Sequence, residues 1–327
     1  MKFAIIGTGF ITESFLQEAS FCKGFEPTAL VSRSLEHGQT FALKYGIPEV
    51  YDSLDEVINS EAIEAAYIAS PNSFHMPQAI RLLKTGKHVL CEKPIASNVA
   101  EFQKMLDCAE KNGALLLEAM RTAFDPSLMS LKNLISEMGQ PRRAVLIYCH
   151  YSSRYDRFKN GEDVNTFNPS LSNSALMDLG VYCVRLMLEL FGVPSKIQAT
   201  NVKLQNGFEG SGTICASYPE MTTELLYSKI ADSHVCSEIQ FENGSILIQD
   251  VARLGGISII RGGKTVSLPD DSKFLLLPEI KEFIRLTGNR EEARRYNRMS
   301  LETLRILDEA RRQGGVIFPA DKDSNEG

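Results

Sequence analysis

The sequence has no CxxC pair among its seven cysteines, no HxxxH pair among its five histidines, and no basic run. Cysteines scattered in this way fit neither a disulfide framework nor a zinc site, so free thiols in a reducing compartment are expected and no metal site is. A formal charge of −6 without a basic run argues against non-specific nucleic-acid binding. Arg294-Arg295 and Arg311-Arg312 are short pairs, expected on solvated helix faces. No apolar stretch approaches the roughly 18–20 residues needed to cross a bilayer. The chain opens on a strand pattern at Lys2 and not on a signal peptide, so a cytoplasmic protein is expected, with neither nucleic acid nor membrane as partner. What remains is an ordinary globular composition, 43% hydrophobic and 23% charged, over 327 residues. That length allows two domains, each with its own core.

What the chain does carry is alternation of strand and helix. Phe3-Ala4-Ile5-Ile6 is a continuous apolar run, as a strand buried on both faces requires. Gly7-Thr8-Gly9 follows, then helical apolar spacing from Phe10 and Ile11 to Phe21. Strand, glycine turn and helix form the setting of a dinucleotide fingerprint. Gly7 would permit the tight turn, and Gly9 would let the backbone approach a pyrophosphate at the helix amino terminus. Thr12 stands where the third glycine usually does. A second strand, Pro27–Val31, ends in Ser32-Arg33-Ser34. A carboxylate there would bind a ribose 2′-hydroxyl, whereas small hydroxyls beside an arginine suit a 2′-phosphate, which favours NADP over NAD. Ser34 also suits the N-cap of the next helix.

Further strands are expected at 50–51, 63–69, 89–91 and 115–117, with helices between them. The loop Ser70-Pro71-Asn72-Ser73-Phe74-His75 lies at a strand's carboxyl end, where open α/β sheets face their ligands. Ser70, Asn72 and His75 are therefore candidates for the cofactor; equally, Asn72 may be read as a turn cap and His75 as part of a first helical turn. Gly86-Lys87-His88-Val89-Leu90-Cys91-Glu92-Lys93-Pro94 reads as a turn, a short buried strand, then an acid, a base and a proline at the strand tip. Glu92 and Lys93 join the cofactor-facing set.

From Asp125 the rhythm changes. A helix (128–138), a strand (144–151) and a long aperiodic loop (152–173) precede the longest apolar helix, 175–191. Seven strands between 196 and 268 then read as consecutive and antiparallel, followed by helices at 279–287 and 300–312 and a short strand at 316–318. The expected architecture is a doubly wound parallel α/β sheet (residues 1–121) and an α+β domain with a large, mainly antiparallel open sheet (122–319), with a disordered tail at 320–327. The long helix carries Asp178, Tyr182, Arg185 and Glu189 at i, i+4, i+7 and i+11, one narrow arc. Such a stripe is either a solvent-facing edge or, for Asp178 and Tyr182, an acid and a phenol acting on one proton.

Gly7-Thr8-Gly9, Ser70-Pro71-Asn72 with His75, Glu92-Lys93-Pro94 and Met177-Asp178-Leu179-Gly180-Val181-Tyr182 together resemble the glucose–fructose oxidoreductase and inositol dehydrogenase (Gfo/Idh/MocA) family across the whole chain. Tyr182, where inositol dehydrogenases have histidine, resembles the dihydrodiol and xylose dehydrogenase branch. The resemblance implies a nicotinamide cofactor, a sugar, polyol, cyclitol or trans-diol substrate, and pairing through the open sheet into a homodimer or homotetramer. It also implies a cis Lys93–Pro94 bond. Asn173-Ser174 departs from the pair of glycines found in many relatives.

The expected chemistry is hydride transfer between nicotinamide C4 and a carbinol carbon, with catalytic roles for Lys93, Tyr182 and Asp178. A free phenol titrates at about 10 and a lysine at about 10.4. A lysine cation about 4 Å from the phenol would contribute roughly 4 kcal/mol at an effective dielectric near 20, which brings the phenol toward working pH. Asp178 would position Tyr182 or hold a second hydroxyl, and Lys93 is the alternative proton carrier. The alternative function is a catalytically silent NAD(P)-binding sugar sensor. Arg121, Tyr151, Arg154, Tyr155 and Asn165 are unranked candidates for substrate contact.

Overall fold

The computed structural model describes residues 1–270 and 273–322. Apolar runs in the first part become six parallel strands: β1 (Lys2–Ile6), β2 (Glu26–Val31), β3 (Glu49–Tyr51), β4 (Ala65–Ile68), β5 (His88–Glu92) and β6 (Leu116–Ala119). Their order is β3-β2-β1-β4-β5-β6, with every pair parallel. Phe3, Ile5, Ile68, Val89 and Leu90 are fully buried, as helices on both faces of a parallel sheet require. The order reverses between β1 and β4, which makes the carboxyl ends of those strands the ligand-binding crevice of such a sheet.

The chain divides into two compact units. One is Met1–Met120 with Phe274–Arg298; the other is Arg121–Lys273 with the chain from Met299 onward. A linear division at residue 121 does not express the return of 274–298. The physical tie is Glu18, on the helix Phe10–Ala19. Its carboxylate accepts from the backbone N–H groups of Leu275 (3.2 Å), Leu276 (2.7 Å) and Leu277 (2.9 Å), at the start of the helix Leu277–Leu286. A carboxylate there satisfies donors that a helix start leaves unpaired and complements the helix dipole.

The second unit is built on eight strands: β7 (Pro141–Cys149), β8 (Lys196–Lys203), β9 (Glu209–Ser217), β10 (Thr222–Ser228), β11 (Ser237–Phe241), β12 (Gly244–Asp250), β13 (Gly255–Arg261) and β14 (Lys264–Ser267). Their order is β14-β13-β12-β11-β7-β10-β9-β8. The strands are therefore not paired strictly in succession. β7 lies between β10 and β11, parallel to the first and antiparallel to the second. On one face Ala144, Leu146, Leu225, Tyr227, Ile239 and Ile246 are buried, and the helix Val181–Phe191 packs against β7 and β10. The stretch 152–173 carries a short helix, Tyr155–Lys159, and a small core of its own, in which Val164, Phe167 and Phe208 are joined by Tyr155, Phe158, Leu204 and Ile230.

The C-terminal part departs from expectation. Val316, Ile317 and Phe318 form no strand; their exposures of 5%, 68% and 0% alternate as a strand's would, but no neighbouring strand pairs with them. The last long helix is Arg290–Gly314, longer than its apolar pattern suggested, because ion pairs such as Arg294–Glu291 and Arg295–Glu292 support its polar first turns. Arg311 is not on a solvated face. It is 3% exposed, pairs with Asp308 and Asp321, and lies 4.3 Å from the Phe318 ring centroid. Asp321 belongs to a short helix, Pro319–Lys322, so the expected tail is ordered to there, and residues 323–327 lie outside the described residues. All seven cysteines are free. No helix among the described residues is long and apolar enough to cross a membrane.

Replacing Glu18 by alanine removes the acceptor of three backbone donors at once. The expected loss is about 2 kcal/mol of stability in the first unit, read as a lower urea midpoint with the slope unchanged. An unaltered midpoint would show that this tie contributes nothing.

Candidate active site

Gly7 closes β1 with φ +107°, and a Cβ there would meet the Ala69 carbonyl oxygen at 2.7 Å. Only glycine fits this turn, which runs against the end of β4. Thr8 is half-buried. Gly9 is the N-cap of the helix Phe10–Ala19, offers no side-chain cap, and has open space where a Cβ would stand. The first N–H groups of that helix, at Phe10 and Ile11, thus begin at an exposed terminus with no side chain over it. An anion is the natural complement of such a terminus. Thr12 is fully buried, so the third position tolerates a small branched side chain.

At the end of β2, Ser32 is 7% exposed and turned inward. Its hydroxyl donates to the Ser34 carbonyl at 2.9 Å, and its Cβ lies under Gly38, where any side chain would collide with it. Ser34 caps the helix Leu35–Tyr45, accepting from His37 N. Arg33 is exposed and, among the described residues, is in no ion pair. The open glycine turn and the bare helix start fit the diphosphate of a dinucleotide.

At the ends of β4 and β5 the loops are tied together. His75 is 1% exposed, with Nε2 2.8 Å from the Ser70 carbonyl and Nδ1 3.0 Å from the Pro94 carbonyl. Burial lowers its pKa, and the two carbonyls act in the opposite direction. The ring thus sits between two main-chain carbonyls, and its single N–H in the neutral form donates to one of them, which packs the Ser70 turn against the Lys93–Pro94 corner. That peptide bond is cis. Ser70 Oγ donates to Gln78 at 2.7 Å, and Asn72 opens the 3-10 turn Asn72–Phe74. Glu92 is 7% exposed; its carboxylate accepts from Tyr67 Oη at 2.5 Å and from Lys93 N at 3.2 Å. Tyr67 stacks on Phe15 with centroids 3.7 Å apart, and burial, then Glu92, pushes its phenol well above the ordinary range. Lys93 stands half-buried at this corner.

In the second unit the long helix begins as a π-helical turn, Leu176–Gly180, before Val181–Phe191. Wide turns of this kind recur at functional sites. Asp178 lies in the π turn and pairs with Lys229, which follows β10; their side chains are 40% and 5% exposed. Tyr182 is 6% exposed, edge-on to Tyr148 (centroids 5.6 Å apart), with the Arg121 guanidinium 5.0 Å from its ring centroid. Arg121 Nε donates to the Ala252 carbonyl at 2.8 Å. The rest of the polar arc is internal structure. Arg185, 1% exposed, bonds Glu189 at 3.1 Å and Ser300 at 3.2 Å, and Lys132 completes the pair with Glu189.

Ser174 is fully buried, receives Met177 N at 3.1 Å, and bonds the buried carboxylate of Glu209, which also accepts from Tyr227 at 2.9 Å. Burial raises the pKa of Glu209. Tyr151 and Arg154 are engaged with Asp156 and Thr166 within their own loop. Sequence reasoning missed Lys229, Tyr148, Tyr67 and Glu209. Lys229 left no distinguishing trace, because the stretch 223–230 also carries Glu224 and Ser228.

A doubly wound sheet with a bare glycine turn at its switch point defines a dinucleotide-binding domain. Residues 1–120 match the family model for an oxidoreductase family with an NAD-binding Rossmann fold, Gfo/Idh/MocA. The chain is 41% identical over 328 residues to scyllo-inositol 2-dehydrogenase (NADP(+)) IolU of Bacillus subtilis (strain 168), covering 98% of this chain and 99% of that protein. It is 27% identical over 313 residues to trans-1,2-dihydrobenzene-1,2-diol dehydrogenase of Danio rerio, covering 90% of each. A crystal structure of KijD10, a 3-ketoreductase from Actinomadura kijaniata, with NADP and TDP-benzene shares the fold at TM-score 0.86 and 19% identity, over 97% of this chain and 99% of that one. The chain belongs to the Gfo/Idh/MocA family and is an NAD(P)-dependent dehydrogenase or reductase.

Proposed function

We propose that the protein is an NADP-preferring dehydrogenase of cyclic polyols or trans-diols, in which the first unit holds the nucleotide and the second the substrate. The observation that carries this reading is the surroundings of Tyr182: a buried phenol beneath the Arg121 guanidinium, on the same helix as the half-exposed Asp178 carboxylate. Two relatives named above support the substrate class, because an inositol and a dihydrodiol both carry neighbouring hydroxyls on a six-membered ring. When bound, the nicotinamide supplies hydride exchange at its C4. In the oxidative direction Tyr182 takes the proton from the reacting hydroxyl and passes it to solvent, and in the reductive direction it returns one. Lys93, held by Glu92 and the Pro94 corner, supplies a cation that orients and polarises a substrate oxygen. Asp178 accepts a hydrogen bond from the neighbouring hydroxyl. The backbone of Gly7, Thr8, Gly9, Phe10 and Ile11 holds the diphosphate, and Ser70 and Asn72 line the path toward the nicotinamide.

NADP is preferred because Arg33 stands exposed at the end of β2, where the sequence has no carboxylate to repel a 2′-phosphate. The Bacillus relative's name carries the same cofactor. The reading includes self-association through the second unit's sheet, whose outer positions Val145, Ile147, Leu226 and Leu247 are only half-buried. Free thiols throughout suit a reducing cytoplasm.

Lys93→Met is expected to abolish polyol-dependent NADP reduction while NADPH affinity stays within about tenfold. Turnover equal to the parent's in stopped flow would end the assignment, and cofactor binding without turnover in the parent itself would point to the silent sensor. Arg33→Ala should lose the preference for NADPH over NADH, seen as a ratio of kcat/KM values falling by about tenfold or more; an unchanged ratio removes the 2′-phosphate role. Sedimentation equilibrium is expected to return a dimer or tetramer, and a monomer would remove the pairing.

A further inference from the structure

Asp178 is half-exposed, but the ammonium that pairs with it is not. Lys229 follows β10 and is pinned through its main chain on both sides, its N–H donating to the Gly210 carbonyl and its own carbonyl receiving Ser152 N, both at 2.9 Å. Its side chain is 5% exposed, and its Nζ lies 5.7 Å from the centroid of Phe167, whose ring belongs to the small core of the 152–173 stretch. The ammonium is thus the inner partner and the carboxylate the outer one. This is unlike the surface pairs of this chain, such as Arg157–Glu162, in which both side chains are about half exposed and the stabilisation is small. A buried ammonium requires its counter-ion, and removing either partner leaves the other uncompensated.

We infer that Lys229 is a positioning residue of the substrate site: it holds the Asp178 carboxylate ionised and fixed, so that Asp178 is a permanent acceptor for the substrate's second hydroxyl and not the proton-transfer group. The inference rests on the dehydrogenase reading for its substrate half. It also removes Asp178 from the proton step, since a carboxylate held in its charged form by a buried cation is a poor donor, which leaves that work to Tyr182, with Lys93 as the alternative carrier. Other charged and titratable groups on the surrounding elements have partners of their own. Glu209 of β9 accepts from Tyr227 of β10; His150, after β7, lies 3.5 Å from Asp232; Lys159 bonds Tyr151 and Asp156; Arg121 covers the Tyr182 ring, against which Tyr148 packs.

The test compares Lys229→Met, Lys229→Gln and Lys229→Arg in the full-length protein. Asp178 is followed by carboxyl-carbon NMR of aspartate-labelled protein, its resonance identified by its loss in Asp178→Asn. In Lys229→Met or Lys229→Gln the titration should move up relative to the parent by about one pH unit or more. The same variants should raise KM for a cyclic diol by about tenfold with a smaller change in kcat, and Lys229→Arg should recover most of that loss. An unmoved titration, or a KM within about twofold of the parent in a folded neutral variant, overturns the inference. A parent that turns over no polyol sinks the dehydrogenase reading instead, and the NMR titration, which needs no activity, still decides the ionisation of Asp178.

Discussion

The tight approach of the β1 turn to the end of β4 is the constraint on which the first unit depends. Gly7 has a positive φ, and any side chain there would drive into the Ala69 carbonyl. That contact brings the two strand ends on either side of the switch point together and leaves the next helix to start in the open. The rest of the corner is then secured by polar groups that the apolar strands would otherwise have no reason to bury. Tyr67 reaches Glu92, Glu92 reaches the Lys93 N–H, and His75 ties Ser70 to Pro94. Each is a hydrogen bond made away from water, where an unmade one costs about 1–3 kcal/mol. The lysine corner is therefore the end of a rigid chain of contacts and not a loop tip.

The second unit follows a different rule. Its sheet has one buried face, and the helix that covers it carries four polar side chains into or beside that cover. Burial sorts them. Arg185 and Glu189 close an internal network with Lys132 and Ser300, in which every charge has its counter-ion. Tyr182 is buried among rings and a guanidinium, and Asp178 alone reaches appreciable exposure. A stripe that looks uniform on a helical projection thus separates into an internal half, Arg185 and Glu189, and a half at the helix start, Tyr182 and Asp178, where the π turn lies.

This division marks how far the sequence was legible. Strand-by-strand alternation in the first 120 residues, the glycine turn, the Glu92-Lys93-Pro94 corner and the long helix carrying Asp178 and Tyr182 are local patterns, and they could be read directly. What could not be read depends on pairing over long separations. β7 enters the sheet between strands that lie far beyond it in sequence, so hairpin signals alone suggested a simpler order. Val316 to Phe318 shows strand-like alternation because one side packs on Arg311 and its neighbours, not because a strand exists there. Lys229 lies 51 residues from Asp178, and nothing local in the sequence marks the two as partners.

Asn173-Ser174, in place of the glycine pair that the family resemblance led one to expect, is accounted for by burial in the same way. Two side chains in place of hydrogens suggest a narrower substrate face, if they point outward. Ser174 points inward: it is fully buried, it receives Met177 N, and it bonds Glu209, whose carboxylate also accepts from Tyr227. Asn173 turns to the Asn165 carbonyl at 2.8 Å. The hydroxyl thus serves the start of the π turn as an N-cap does and supplies a donor to a carboxylate that burial would otherwise leave less well satisfied. The departure is part of how this chain anchors the turn that carries Asp178.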